Sequence, residues 1–241
     1  MNALYQNNAQ WISTRLKHAK RLLSLVLLLG WAGMAWADTV GTVTHLAGIM
    51  TARHADGGTV QLAVQSQVQQ GDTLITDANT FARVKFVDSA EIVLRPDSQL
   101  VVKTYLYNAG KPQDGKVFIN LVKGGLRALT GRIGQSNHEA VSFQTPTATI
   151  GIRGTDFGAL VCQDDCAGMS TANGRAPENG MYVDVAQGAV VVSNAGGQGV
   201  YQAGQFCYVA NANTKPILIL SSEAVPVTVP SSLGRNESSN Q

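Results

Sequence analysis

The sequence predicts an all-β fold, a sandwich or β-roll of many short strands with glycine-rich turns, behind an N-terminal signal helix. Two patterns carry that prediction. From Thr39 to Leu220 apolar and polar side chains alternate repeatedly, as in Ala82, Val84 and Phe86 against Arg83 and Lys85, or Ala148, Ile150 and Ile152 against Thr147, Thr149, Gly151 and Arg153. Period two is the signature of a strand with one wet face, and no stretch in this span keeps apolar residues at helical spacing for three turns. Turn formers then interrupt the chain every eight to twelve residues or so, the spacing of short strands in a sandwich or barrel. They are Asp56-Gly57-Gly58, Gly71-Asp72, Asp88-Ser89, Asn108-Ala109-Gly110, Gly124-Gly125 and Asn194-Ala195-Gly196-Gly197.

Residues 1–37 form the first element, an export signal. Arg15, Lys17, Lys20 and Arg21 precede an uncharged apolar segment from Leu22 to Ala37. That order, basic and then apolar, is the order of a signal peptide. The segment is shorter than the ~20 residues a helix needs to cross the hydrocarbon, and it closes on Ala35-Trp36-Ala37, which places the cut between Ala37 and Asp38. An uncleaved anchor is the alternative, and only in that case would the protein touch a membrane. A periplasmic or secreted location follows from either reading. The signal holds four of the 18 basic residues and none of the 16 acidic ones, leaving 14 basic against 16 acidic residues, a net charge of −2. Without a cluster of Lys or Arg, nothing neutralises phosphates, so nucleic acid is not an expected partner.

The remaining roughly 200 residues suffice for a core without staples, and they divide into a β domain over 38–220 and a tail over 221–241. A sub-boundary near 110–116 is considered, because polar turn residues cluster there. A weak internal repeat appears in Phe118–Leu129 (FINLVKGGLRAL) and Tyr182–Ser193 (YVDVAQGAVVVS), with Gly124 and Gly188 in matching places. Glycine there admits a sharp turn at positive φ. Each unit is followed by a strand pair, Ser142–Arg153 and Gly199–Ala210. Between Cys162 and Met181 lies a polar insertion rich in Gly, Asn and Pro, expected as a surface loop. The tail, with Pro226, Pro230 and SSLGRNESSNQ, carries too little apolar content to offset ordering entropy and is expected to be disordered.

Several of these residues together resemble the FecR family, named for a ferric-citrate sensing regulator of bacterial envelopes. The likeness runs from about Gly41 to Val209. It rests on Gly71-Asp72-x-Leu74-x-Thr76, the Ala82/Val84/Phe86 strand, Asp88, and Ile92-x-Leu94-x-Pro96-x-Ser98-x-Leu100. It continues through Leu121-x-x-Gly124-x-Leu126-Arg127, Thr145-Pro146-Thr147-Ala148-x-Ile150-Gly151-x-Arg153-Gly154-Thr155-x-Phe157, Val185-x-x-Gly188-x-Val190 and Ala203-Gly204-Gln205. The resemblance implies an extracytoplasmic β domain used for protein contact, sensing or envelope signalling. It also marks Gly71, Asp72, Thr145, Pro146, Arg153, Gly154 and Thr155 as possible contact residues. The family's usual Asp-Gly-Ser turn stands here as Asp88-Ser89-Ala90. The family's cytoplasmic sigma-factor-binding segment does not fit into the 21 residues ahead of Leu22, so that role is not carried over.

Cys162 and Cys166, with three residues between them at a strand end, can close a short disulfide in an oxidising compartment. A metal site from Cys162, Cys166, Cys207 and Asp164 or Asp165 is the sharper alternative, disfavoured because paired C-x-x-C spacing is missing. Cys207 is expected to be a small buried residue. Arg153 is read first as half of an internal ion pair with Asp156 or Asp72, and second as a donor to a partner's carboxylate. Tyr105 and Tyr107 share a strand face, either as cover for a sheet edge or as a platform for a glycan or peptidoglycan. His45, His54 and His138 stand apart in sequence and are expected to be solvated or capped. No nucleophile motif, phosphate loop or tuned carboxylate pair is visible, so the expectation is a non-enzymatic module without cofactor whose partner is another envelope protein.

Overall fold

The computed structural model describes residues 38–166 and 168–230; the signal expected over 1–37 and the end of the tail, 231–241, lie outside the described residues. The strands are β1 (Thr39–Ala47), β2 (Met50–Arg53), β3 (Thr59–Leu62), β4 (Gln67–Gln69), β5 (Thr73–Thr76), β6 (Phe81–Phe86), β7 (Glu91–Leu94) and β8 (Gln99–Leu106). They continue as β9 (Lys116–Leu129), β10 (Val141–Gln144), β11 (Thr149–Cys162), β12 (Gly180–Asn194), β13 (Gly197–Gln202), β14 (Phe206–Val209) and β15 (Ile217–Ile219). One short helix, α1 (Arg132–Ser136), lies between β9 and β10. The all-β prediction holds: the strands join in one 15-stranded sheet with a main path β15-β14-β12-β11-β10-β9-β7-β6-β1-β4. All pairings are antiparallel except β9 with β10. The stretch considered as a sub-boundary near 110–116 is a turn between β8 and β9, which pair along their lengths.

The predicted alternations face inward as read. Ala82, Val84 and Phe86, and likewise Ala148, Ile150 and Ile152, sit in one continuous core that draws on strands from β1 to β14. The three longest strands stay in register with that core by a shared device. In β9 the inward side chains are Val117, Ile119 and Leu121, then Leu126 and Ala128; in β12 they are Met181, Val183 and Val185, then Val190 and Val192. The phase changes from odd to even across Gly124 (φ 74°) and Gly188 (φ 76°). A plain strand would turn its second half inside out, since a one-residue slip moves every side chain to the other face. A glycine at positive φ absorbs the extra residue as a bulge and bends the strand. The reverse change, from even to odd, happens in β11 around Gly154 (φ 61°), between Ile152 and Phe157. These corners pack together: a Cβ on Gly188 would lie 2.8 Å from the Arg153 carbonyl and closer still to that of Gly154. The internal repeat therefore marks two corner strands.

One expectation fails within the described residues. The tail does not leave the fold at 221, because Ala224, Val225 and Val227 are buried. Val225 and Val227 join Leu160, Cys162, Cys166 and Tyr182 in a second apolar cluster on the face of the sheet away from the main core. Two valines one residue apart suffice to hold a short strap when an apolar surface awaits them, although the composition of the whole tail is polar.

Candidate functional site

The family-type motif residues are mostly architecture. Asp72 is buried, accepting from the Gln69 backbone N–H at 2.8 Å and facing His54 Nδ1 at 2.7 Å. Its Oδ atoms thus tie the β4–β5 turn, opened by Gly71 (φ 93°), to the end of β2. His54, expected to be solvated or capped, is thus partnered by a buried carboxylate. Thr145 Oγ1 closes the turn before β11, accepting from Ala148 N–H at 3.1 Å and donating to its carbonyl at 2.9 Å, with Pro146 inside that turn. Thr155 is knitted to Thr130 by bonds of 2.8 and 2.9 Å. Asp72, Thr145 and Thr155, expected as possible contact residues, are buried within these internal bonds.

Arg153 and Gly154 differ, for both are exposed. Asp156, one of the partners expected for Arg153, faces Arg127, whose Nε lies 2.9 Å from it and whose Nη1 lies 3.1 Å from Asp184. Arg95 lies nearby on the same face. Burial lowers its guanidinium pKa, against the pull of Asp184, and its Nε and Nη1 are buried without a hydrogen-bond partner.

Tyr105 is not a platform. It is 4% exposed, stacks on Phe86 with ring centroids 4.6 Å apart, and donates its hydroxyl to Asp88. Burial, reinforced by the Asp88 charge, holds its phenol far above the ordinary range. Both readings of Tyr105 and Tyr107, as edge cover and as a glycan face, are thereby corrected for Tyr105. Asp88 itself is a hub that sequence reasoning missed: it also accepts from Ala90 N–H at 3.1 Å and from Ile133 N–H at 3.2 Å at the start of α1. Ser89 takes φ 69° in that turn, so the conformation a glycine would favour persists without the glycine.

Cys162 and Cys166 stand at disulfide distance, Cα atoms 5.4 Å apart. Cys207 lies elsewhere, in the main core, where burial pushes its thiol up to about 12 against a bond from Tyr201 that lowers it. The four-residue metal alternative is thus divided between two clusters, and no group of three metal-ligating side chains occurs among the described residues.

The Cys pair anchors the start of the predicted loop, and the loop walls a cleft of about 260 Å³. Its far end is pinned at Tyr182 and Tyr208. The Tyr182 hydroxyl accepts from Glu178 N–H at 2.9 Å, while that of Tyr208 donates to the Asn179 carbonyl at 2.6 Å. Near the tip, Thr171 binds the Arg175 carbonyl and N–H at 2.9 and 3.1 Å. Opposite the loop's Arg175 and Glu178, the cleft is bounded by Ile217 and Ile219 of β15. Among the described residues that strand pairs only with β14, and it ends the sheet path. Ile217 (51%), Leu218 (58%) and Leu220 (69%) are strongly exposed there. An open strand edge flanked by apolar side chains and a polar wall suits an extended polypeptide.

The family model described as "FecR protein" matches residues 72–191. No curated protein matches the chain. Among solved structures, a cell surface anchoring domain is 26% identical over 26% of this chain and 82% of its own, with a TM-score of 0.25. Two crystal structures of a candidate anti-sigma factor from Parabacteroides distasonis ATCC 8503 are 15% and 13% identical. Each match covers 61% of this chain and 58% of that protein, with TM-scores of 0.44 and 0.45.

Proposed function

The chain belongs to the FecR family, and from that premise we propose that it is a non-enzymatic, extracytoplasmic binding module that docks a segment of another envelope protein, in signalling or sensing, along β15 and the loop-walled cleft. The observation that carries this reading is the apolar edge of β15 beside the cleft, unpaired among the described residues. Exposed edges invite strand addition, and soluble proteins ordinarily blunt them with charge or cover them. Here the edge carries Ile217, Leu218 and, just beyond, Leu220 instead. The basic-then-apolar order of residues 15–37 supports export, and the disulfide-distance pair suits an oxidising compartment.

The test is affinity capture from envelope extract with the wild-type chain and with a Leu218→Asp/Leu220→Asp variant, scored on specific co-purified bands confirmed by reverse capture. The reading predicts that a reproducible partner is retained by the wild type and lost from the variant, while the circular dichroism of the two proteins stays the same. Retention of the same partner by the variant, or no reproducible partner, contradicts it.

A further inference from the structure

The strap formed by residues 222–227 is held in an unusual way for a piece of a β fold. It belongs to no strand, yet its backbone is gripped at several points. Val227 N–H donates to Asp184 Oδ2 at 2.8 Å, and the Val227 carbonyl accepts from Arg127 Nη1 at 3.4 Å. Arg127 and the Gly158 N–H each hold Asp184 Oδ1 at 3.1 Å, which aims the carboxylate. Upstream, the Ala224 and Ser222 carbonyls accept from Ala172 and Asn173 N–H at 3.1 and 2.8 Å. Side chains are read only as apolar groups: Ala224, Val225 and Val227 are buried, and Pro226 between the two valines is exposed. The floor is open because residue 158 is glycine; a Cβ there would overlap Val227.

A site that grips backbone and reads alternate apolar side chains recognises a class of extended peptide, because backbone is common to all sequences and alternate residues of an extended chain share a face. One feature of the groove is left unused by the strap. Arg95 lies along its flank, its Cδ 3.2 Å and Leu160 Cδ1 3.1 Å from the place a Gly125 Cβ would occupy, and its Nε and Nη1 are buried without a partner. The strap's acidic residue, Glu223, is exposed and turned to the Leu220 N–H instead. Buried guanidinium nitrogens without a hydrogen-bond acceptor are costly, and a carboxylate is their best geometric match.

We propose that this groove is a peptide-acceptor site occupied in cis by the strap, and that its trans ligand is an extended segment with apolar residues at alternate positions and a carboxylate that reaches Arg95. Such a segment gains an ion pair that the strap lacks and so displaces it. This groove adjoins the β15 cleft through Tyr182 and Ile219, and its dependence on Arg95, which does not line that cleft, distinguishes the two.

The probe is a fluorescent synthetic peptide, SEAVPVTV, together with two versions carrying glutamate in place of its proline or its threonine. Binding is measured by anisotropy to the whole chain and to a Val225→Asp/Val227→Asp variant that unseats the strap. The variant is expected to bind at least about tenfold more tightly, because the site is no longer filled in cis. One glutamate peptide is expected to bind more tightly than the parent, and Arg95→Gln is expected to remove that gain. Equal binding by wild type and variant, no binding by a natively folded variant, or a glutamate gain that survives Arg95→Gln overturns the proposal. If the variant does not fold, hydrogen exchange on the wild type decides. Excess glutamate peptide is expected to speed exchange at the Val227 amide, and unchanged protection there overturns the proposal.

Discussion

Replacing Gly188 by alanine, beside the same change at Gly154, isolates what the corners demand. Both glycines hold positive φ, 76° and 61°, so both substitutions carry the left-handed strain of about 1–2 kcal/mol, partly offset by about 0.4–1 kcal/mol from a stiffer unfolded chain. The surroundings then separate them. An alanine Cβ at 154 meets nothing within 4 Å, whereas at 188 it meets the Arg153 carbonyl at 2.8 Å and the Gly154 backbone at 3.0 Å or less. Backbone cannot yield as a side-chain tip does, so overpacking adds about 1–3 kcal/mol. Gly154→Ala should therefore cost about 1 kcal/mol and Gly188→Ala about 3 kcal/mol. At about 2–4 °C per kcal/mol for a domain of this size, thermal melts followed by circular dichroism should fall by roughly 3 °C and 9 °C respectively. Equal shifts, or a neutral Gly188→Ala, would refute the argument that β11 and β12 turn the corner in backbone contact.

Other outcomes follow from single sites. Ser89→Gly relieves the φ 69° strain in the Asp88 turn and should stabilise the domain by about 0.5–1 kcal/mol, read as a higher melting temperature. In a thiol-titration assay at pH 8, the native protein should show no reactive cysteine; guanidinium without reductant should expose one, Cys207, and reductant should release the other two. The folded state raises the proton affinity of both Tyr105 and Cys207, so the stability they contribute is fully present below their unfolded pKa values, 10.0 and 9.0, and is lost as pH rises through the folded ones. The melting temperature should therefore decline above about pH 9, and Cys207→Ala should postpone the onset of that decline.

What was readable from the sequence followed the physics of strands. Alternation in β6 and β11 located the inner face, and Gly124 and Gly188 announced their corners because few other residues tolerate that conformation. The Cys162/Cys166 spacing was legible because proximity in sequence forces proximity in space. The hidden parts depend on tertiary neighbours. Nothing local says whether Tyr105 or Leu106 points inward, and the sheet buries the tyrosine because Asp88, 17 residues away, takes its hydroxyl. His54 finds Asp72 across a turn, and Arg127 reaches Asp156 from a different strand for the same reason. The strap was missed because averaging over the tail hid Val225 and Val227; their alternate spacing was the available signal.

Photo-crosslinking in living cells tests the docking claim most directly. A photoreactive residue is placed at Leu218 on the β15 edge, and in a second protein at Val60, a similarly exposed apolar position on β3. The account predicts a discrete crosslinked protein adduct from position 218 in the envelope fraction and none from position 60. Absence of an adduct at 218, or the same adduct from both positions, would contradict it.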